Sequence, residues 1–171
     1  MPFVEEPNPY LDHSLDQLLD VLNGGRVGAC ELVCEEIGRR EAYATVKDWL
    51  YAGRVRLAVA RMCMVSAFRF GHKSDASAIE LYEHVVATDA SGHVVDLAAH
   101  ALVLSDSFDS LPFLRSLVDE GRRPEKSLGP IRLAIEALET DGPMCEFFRD
   151  PQNGWPRTRR LNAQAAEDPA C

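Results

Sequence analysis

At 171 residues, with 46% hydrophobic and 26% charged positions, the chain is about one domain long and apolar enough for a real core, which excludes wholesale disorder. Its formal net charge of −9 at pH 7 argues against nucleic-acid binding, which needs Lys and Arg clustered on one face. The same charge suits a basic protein partner, whose approach an acidic surface accelerates, and ordinary solubility is the alternative reading. The longest apolar-leaning stretch, residues 55–68, is interrupted by Arg56 and Arg61 and is too short to cross a bilayer. The opening Met1-Pro2-Phe3-Val4-Glu5-Glu6-Pro7 lacks the basic and apolar regions of an export signal. Five cysteines, Cys30, Cys34, Cys63, Cys145 and Cys171, are odd in number and irregular in spacing. A cytoplasmic protein with reduced thiols is therefore expected.

Residues 1–13 carry Pro2, Pro7 and Pro9 and are expected to form an extended N-terminal arm. Ser14-Leu15-Asp16-Gln17 then reads as a capping box, with Leu15, Leu18, Leu19 and Leu22 at helical spacing and Asn23-Gly24-Gly25 as the stop. The same grammar predicts helices over 27–37 ending at Gly38, over 41–51 ending at Gly53, and over 54–70 ending at Gly71. Asp75 or Ser77 caps a helix that turns Ile79, Tyr82, Val85 and Val86 inward, and Ser91 opens another that runs through Leu104. Residues 107–120, with Leu111, Leu114, Leu117 and Val118, stop at Gly121, and a last helix covers 128–139. No run alternates apolar and polar with β-branched enrichment, so no sheet is predicted.

Internal similarity sharpens the picture. Val55-Arg56-Leu57-Ala58-Val59 is echoed by Val95-Asp96-Leu97-Ala98-Ala99 and again by Ile131-Arg132-Leu133-Ala134-Ile135. Met62, Leu102 and Leu138 complete the pattern at matching positions, each expected in the second helix of a pair. Small alanines at fixed places let neighbouring helices approach closely.

The run Val94-Val95-Asp96-Leu97-Ala98-Ala99-His100-Ala101-Leu102 resembles the second helix of a HEAT-like repeat, and residues 131–138 are similar. The resemblance covers residues 14–142. It implies an all-α fold, a short α-solenoid of about four stacked antiparallel helix pairs. Arg61 departs from it, standing where Ala101 and Ala137 stand in the later copies. After Pro143, the aromatic residues Phe147, Phe148 and Trp155 are expected to fold back as an irregular C-terminal cap within residues 143–171.

Arg56, Asp96 and Arg132 share one repeat position with alternating sign, and the resemblance implies a structural ion-pair ladder of the kind HEAT-like proteins use; charged contacts for a partner are the alternative. In that fold the second-helix layer lines a concave surface that receives partners. The resemblance therefore puts Glu35, Glu36, Arg61, His100, Glu136 and Glu139 forward as partner-binding residues. An ordinary solvated face is the alternative for each of them.

Candidate chemistry is sparse. Cys30 and Cys34 stand one turn apart but lack a second Cys/His pair at ligand spacing, so no metal is expected. None of His13, His72, His84, His93 and His100 begins a His-Glu dipeptide, so the iron-ligand signature of HEAT-like hydroxylases is missing. There is no Gly-x-Ser-x-Gly elbow and no phosphate-binding glycine loop. The expectation is a non-catalytic, cofactor-free protein-binding module. Its compact acidic form looks like a bacterial immunity protein or antitoxin that occludes a basic toxin. A HEAT-like scaffold or lyase-like accessory factor is the alternative. A HEAT-like DNA glycosylase comes third, because its cationic groove conflicts with an acidic chain.

Overall fold

The computed structural model describes residues 8–71 and 76–140. Among them there are eight α-helices and no strand, so the fold is all-helical. The chain divides into two compact units, Met1–Gly71 and His72–Cys171.

In the first unit, α1 (Leu15–Asn23) packs on α2 (Val27–Arg39), α3 (Tyr43–Tyr51) on α4 (Ala58–Gly71), and α2 on α4. The order of contacts is the same in the second unit. There α5 (Ala76–Thr88) packs on α6 (Gly92–Leu104), α7 (Leu111–Asp119) on α8 (Leu128–Thr140), and α6 on α8. In both units the two helix pairs thus meet through their second helices.

The capping box forms as the sequence predicts. The Gln17 amide donates to Ser14 Oγ at 3.3 Å, and the Ser14 amide donates to Gln17 Oε1 at 2.7 Å. Leu18, Leu19 and Leu22 are buried on the inner face of α1. Cys30, Val33, Cys34 and Ile37 of α2 meet that core, and Ala60, Met64, Val65 and Phe68 do so from α4. Trp49 and Leu50 are buried on α3, and the Tyr43 and Phe68 rings meet edge-on at 5.2 Å between centroids.

Helix ends follow a common hydrogen-bond pattern but not always the expected residue. At the end of α3, Gly53 takes φ +64, its amide donates to Leu50 O, and the Arg54 amide donates to Trp49 O. This is the Schellman arrangement, which turns the chain out through one left-handed residue. α2 does not stop at Gly38 as expected. It runs on to Arg39, and Glu41 takes the left-handed position with φ 53, its amide bonded to Gly38 O and that of Ala42 to Ile37 O. Gly38 has another role. A Cβ there would lie 3.2 Å from Tyr43 Oη, so the missing side chain lets the tyrosine close over α2.

The expected start of α4 is also corrected. The helix begins at Ala58 rather than near residue 54, and residues 54–57 carry no regular structure. Asn23 is the reason. Its side-chain amide donates to Arg54 O at 3.1 Å while its Oδ1 accepts from the Arg56 amide at 2.8 Å, holding this backbone outside the helix. Val55 and Arg56 therefore precede α4, whereas Val95, Asp96, Ile131 and Arg132 lie inside α6 and α8. The echo at residue 55 is one of sequence without matching position.

In the second unit the echoed positions lie inside helices, and those facing inward are buried alike. Val95, Ala98 and Leu102 on α6 are fully buried, and Ile131, Ala134 and Leu138 are buried at the equivalent places on α8. Ala98, Ala99 and Ala101 are fully buried on α6, as Ala134 and Ala137 are buried on α8. Small side chains here permit the close α6–α8 packing. Each fully buried Leu, such as Leu102 or Leu114, stabilises the unit by about 1.5–3 kcal/mol relative to exposure.

Two arginines fasten chain segments by their carbonyl groups. Arg40 donates to His13 O at 2.6 Å, Leu11 O at 2.7 Å and Tyr10 O at 3.3 Å, fixing residues 8–13 as a turn against the first unit. Asn8 adds a bond to Leu32 O at 2.7 Å. Arg123, from the link between α7 and α8, donates to Ala87 O at 3.1 Å and to Asp89 O. It thereby caps the C-terminal end of α5, where a cation opposes the negative pole of the helix. The expected aromatic cap, with Phe147, Phe148 and Trp155, lies outside the described residues, as do residues 1–7 of the arm.

Candidate binding surface in the second unit

Four carboxylates of the second unit line one open cleft. Its volume is about 360 Å³, and Ala76, Ile79, Glu80 and Glu83 of α5 line it together with residues 106–110 of the link between α6 and α7. The positions of Ile79, Glu80 and Glu83 follow from helical periodicity. Residues three and four apart share a face, and Glu80 and Glu83 both flank the inward-facing Leu81 and Tyr82.

The other wall is shaped by how α6 ends. Asp106 takes φ 47, its amide donates to Val103 O at 3.0 Å, and the Ser107 amide donates to Leu102 O at 3.0 Å. This is the same Schellman arrangement as at Glu41 and Gly53, with an aspartate at the left-handed position. Residues Phe108–Ser110 then make one 3-10 turn into α7, whose second residue is Pro112. The result is a short polar rim facing α5.

A hydrogen-bond chain connects rim to helix. Ser110 Oγ donates to Glu83 Oε1 at 2.6 Å, and the Ser107 and Ser110 hydroxyls are 2.7 Å apart. A hydroxyl has one proton to give. Since Ser110 gives its own to Glu83, Ser107 must donate to Ser110. Glu83 is thus held in one orientation by two serines. Glu80, Asp106 and Asp109 complete four carboxylates around the cleft, and among the described residues its lining includes no Lys, Arg, His or Cys. Ile79 and Phe108 supply apolar walls. Chemically, the cleft can receive a cation borne on an aliphatic stem, with Ile79 and Phe108 along the stem and carboxylates at its head.

The residues put forward from the sequence lie elsewhere. Glu36, expected among exposed partner contacts, is buried at 1% exposure. Arg39 grips it through Nε at 2.8 Å and Nη2 at 2.5 Å, and Arg40 reaches it through Nε at 2.5 Å. The hydrogen bond from Arg39 is the chief cause that lowers its carboxyl to about 2; burial opposes the shift and Arg40 reinforces it. Glu35 is exposed on α2. Arg61 is half-buried at the start of α4 and donates to Arg56 O at 2.6 Å and Val55 O at 3.2 Å. This accounts for a long cation at an expected small-residue position: it satisfies carbonyls of the segment that Asn23 keeps out of the helix.

In the second unit, His100 is half-buried with Nε2 3.7 Å from Asp96 Oδ1. Glu136 and Glu139 are exposed on α8, and Glu139 accepts from Arg115 at 2.6 and 3.0 Å. Within this unit Asp96 and Arg132 take different partners: Asp96 faces His100, and Arg132 bonds Glu125 at 2.8 Å.

The cleft residues were not among the sequence candidates. One local signal exists, the polar run Ser105-Asp106-Ser107 between apolar helices. Its meeting with Glu80 and Glu83, 27 residues earlier in the case of Ser110 and Glu83, is tertiary. Among the described residues, no helix is long and apolar enough to cross a membrane, and no group of three or more His, Cys, Asp or Glu is arranged to hold a metal ion. Comparison with protein-family models, curated proteins and solved structures returned no match.

Proposed function

We propose that this chain is a non-catalytic protein-binding module, a short solenoid of HEAT-like helix pairs that binds a basic partner in the cytoplasm. The observation that carries this reading is the cleft between α5 and the α6–α7 link, whose described lining holds four carboxylates, with Glu83 held by Ser110. A Lys or Arg side chain of the partner enters it, and Glu83, already oriented by Ser110, receives the charge without reorganisation. The net charge of −9 adds long-range steering toward a cationic surface. Helix pairs meeting through their second helices within each unit support the repeat reading. A compact acidic module of this kind fits an inhibitor or immunity protein that covers the working surface of a basic toxin.

The test is capture by the full-length chain from its native host at low salt, followed by identification and titration of the retained protein. A stoichiometric basic partner is expected, released by rising salt and weakened about tenfold or more by combined Glu83→Gln and Asp109→Asn substitution. The immunity step further requires that the chain abolish the partner's activity. A partner enzyme that stays active in the complex would favour the scaffold reading. Absence of any stoichiometric partner, or indifference to the cleft substitutions, overturns the proposal.

A further inference from the structure

One cluster of reactive side chains plays no part in the binding surface. Cys30 and Cys34 stand one turn apart on the buried face of α2, and Cys63 sits on α4, the helix packed against it. Cys30 is fully buried, Cys34 is 7% exposed, and Cys63 is only half-buried. The thiols are neighbours: Cys63 donates a side-chain hydrogen bond to Cys30 and interacts electrostatically with Cys34. Cys30 in turn points its thiol at Leu22 O, 3.9 Å away. No three metal-ligating side chains among the described residues are arranged to hold an ion, so the grouping does not read as a metal centre.

We propose that Cys30 and Cys63 are the site of a reversible disulfide that ties α2 to α4, formed by exchange with a low-molecular-weight disulfide of the oxidised-glutathione class. Cys63 is the point of entry because Cys30 and Cys34 are buried and Cys63 is only partly so. Its thiolate attacks one sulfur of the small disulfide, forming a mixed disulfide and releasing one small thiolate. The Cys30 sulfur then attacks Cys63, the mixed bond breaks, and a second small thiolate leaves. The two protons from Cys30 and Cys63 end on the two released thiols. Two protein thiols are oxidised and one small disulfide is reduced.

Cys34 is the bystander. The hydrogen bond of Cys63 goes to Cys30 rather than to Cys34, and burial, reinforced by the other two sulfurs, pushes the Cys34 thiol up to about 12. Burial also raises Cys30 and Cys63, which leaves little thiolate at neutral pH and makes exchange at the pair slow.

The experiment uses the full-length chain carrying Cys145→Ser and Cys171→Ser. It is incubated folded with oxidised glutathione at about pH 8.5, acid-quenched, alkylated and mapped by mass spectrometry. The expected result is a loss of about 2 Da with a single linked peptide joining residues 30 and 63, reversed by dithiothreitol. The link should persist in Cys34→Ser and vanish in Cys63→Ser, and oxidation should raise the unfolding midpoint only where the link forms. The same oxidation in denaturant gives the scrambled reference, and far-UV circular dichroism checks that each variant is folded. A Cys34–Cys63 link overturns the assignment, as does a mixed disulfide that goes no further. So does a folded chain that forms no link, since a disulfide needs Cα atoms within roughly 7 Å.

Discussion

Replacing Arg40 by alanine should detach the N-terminal turn from the first unit and cost about 2–3 kcal/mol of stability. The guanidinium makes four contacts: three with the carbonyls of Tyr10, Leu11 and His13, and one with Glu36. Its side chain is 24% exposed, so these bonds are only partly screened by water. Losing one partner of a buried ion pair costs about 3–5 kcal/mol when the other charge is left alone. Glu36 is not left alone, because Arg39 still holds both of its oxygens. The three carbonyls can turn to water, which recovers part of each bond. The remainder is the net worth of one charge-assisted hydrogen bond, about 1.5–3 kcal/mol. Urea unfolding measures the global loss. Hydrogen exchange at the Leu11 and His13 amides, which bond Asn8 O and Tyr10 O inside the turn, measures the local one. Exchange there should accelerate roughly 30- to 150-fold, the factor that about 2–3 kcal/mol represents. Arg40→Lys should fall between, because an ammonium keeps the charge but cannot reach three carbonyls and a carboxylate as a fork does. An alanine variant that loses less than about 0.5 kcal/mol, with unchanged exchange at both amides, would refute the clasp.

Glu36 makes the first unit acid-sensitive in a defined window. Its folded pKa of about 2 lies below the ordinary carboxyl value of 4.5, so its stabilisation is fully present above the unfolded pKa and is lost as pH falls through the folded one. Glu36→Gln should therefore flatten the stability profile between about pH 5 and pH 2, lowering stability at neutral pH by about 1–2 kcal/mol once the exposure of Arg39 is allowed for. An unchanged acid slope in urea titrations would refute this. Glu41→Gly should stabilise by about 0.5–1 kcal/mol, since Glu41 is exposed and holds φ 53 at a position glycine fills without strain. Thermal unfolding checks it, and a lowered midpoint would refute it. Ser14→Ala removes the Oγ that caps α1 and should cost about 1 kcal/mol, read as a shift in denaturant midpoint with no change in slope.

Local chemistry was the legible part of this fold. The Ser14 box, the apolar faces of α1 and α5, and the turn at Gly53 depend on residues within a few positions of one another, and all are visible in the sequence. Errors arose where a distant side chain set a local boundary. Asn23 fixes where α4 begins from 31 and 33 residues away. At the end of α2, Glu41 accepts a backbone conformation that propensity alone would assign to the nearby Gly38. Glu36 looked solvated because a carboxylate beside another carboxylate on a helix usually is. Only the return of Arg39 and Arg40 over it makes its burial affordable. The cleft was hidden for a related reason. Its two walls are ordinary in sequence and become a site only when α5 packs on α6 and carries Glu83 to Ser110.

The Arg123 contacts bear on the order in which the second unit assembles. Its acceptors on Ala87 and Asp89 lie 36 and 34 residues earlier in the chain, so those bonds cannot close until the link between α7 and α8 has been brought to the end of α5. A contact of such long sequence separation forms late, after the loop-closure entropy of docking has been spent. Arg123 consequently belongs on the unfolding side of the barrier. Removing it should leave the refolding rate nearly untouched and speed unfolding, as the two arms of a chevron plot would show, so this one guanidinium is expected to govern how long the unit persists more than how quickly it is made.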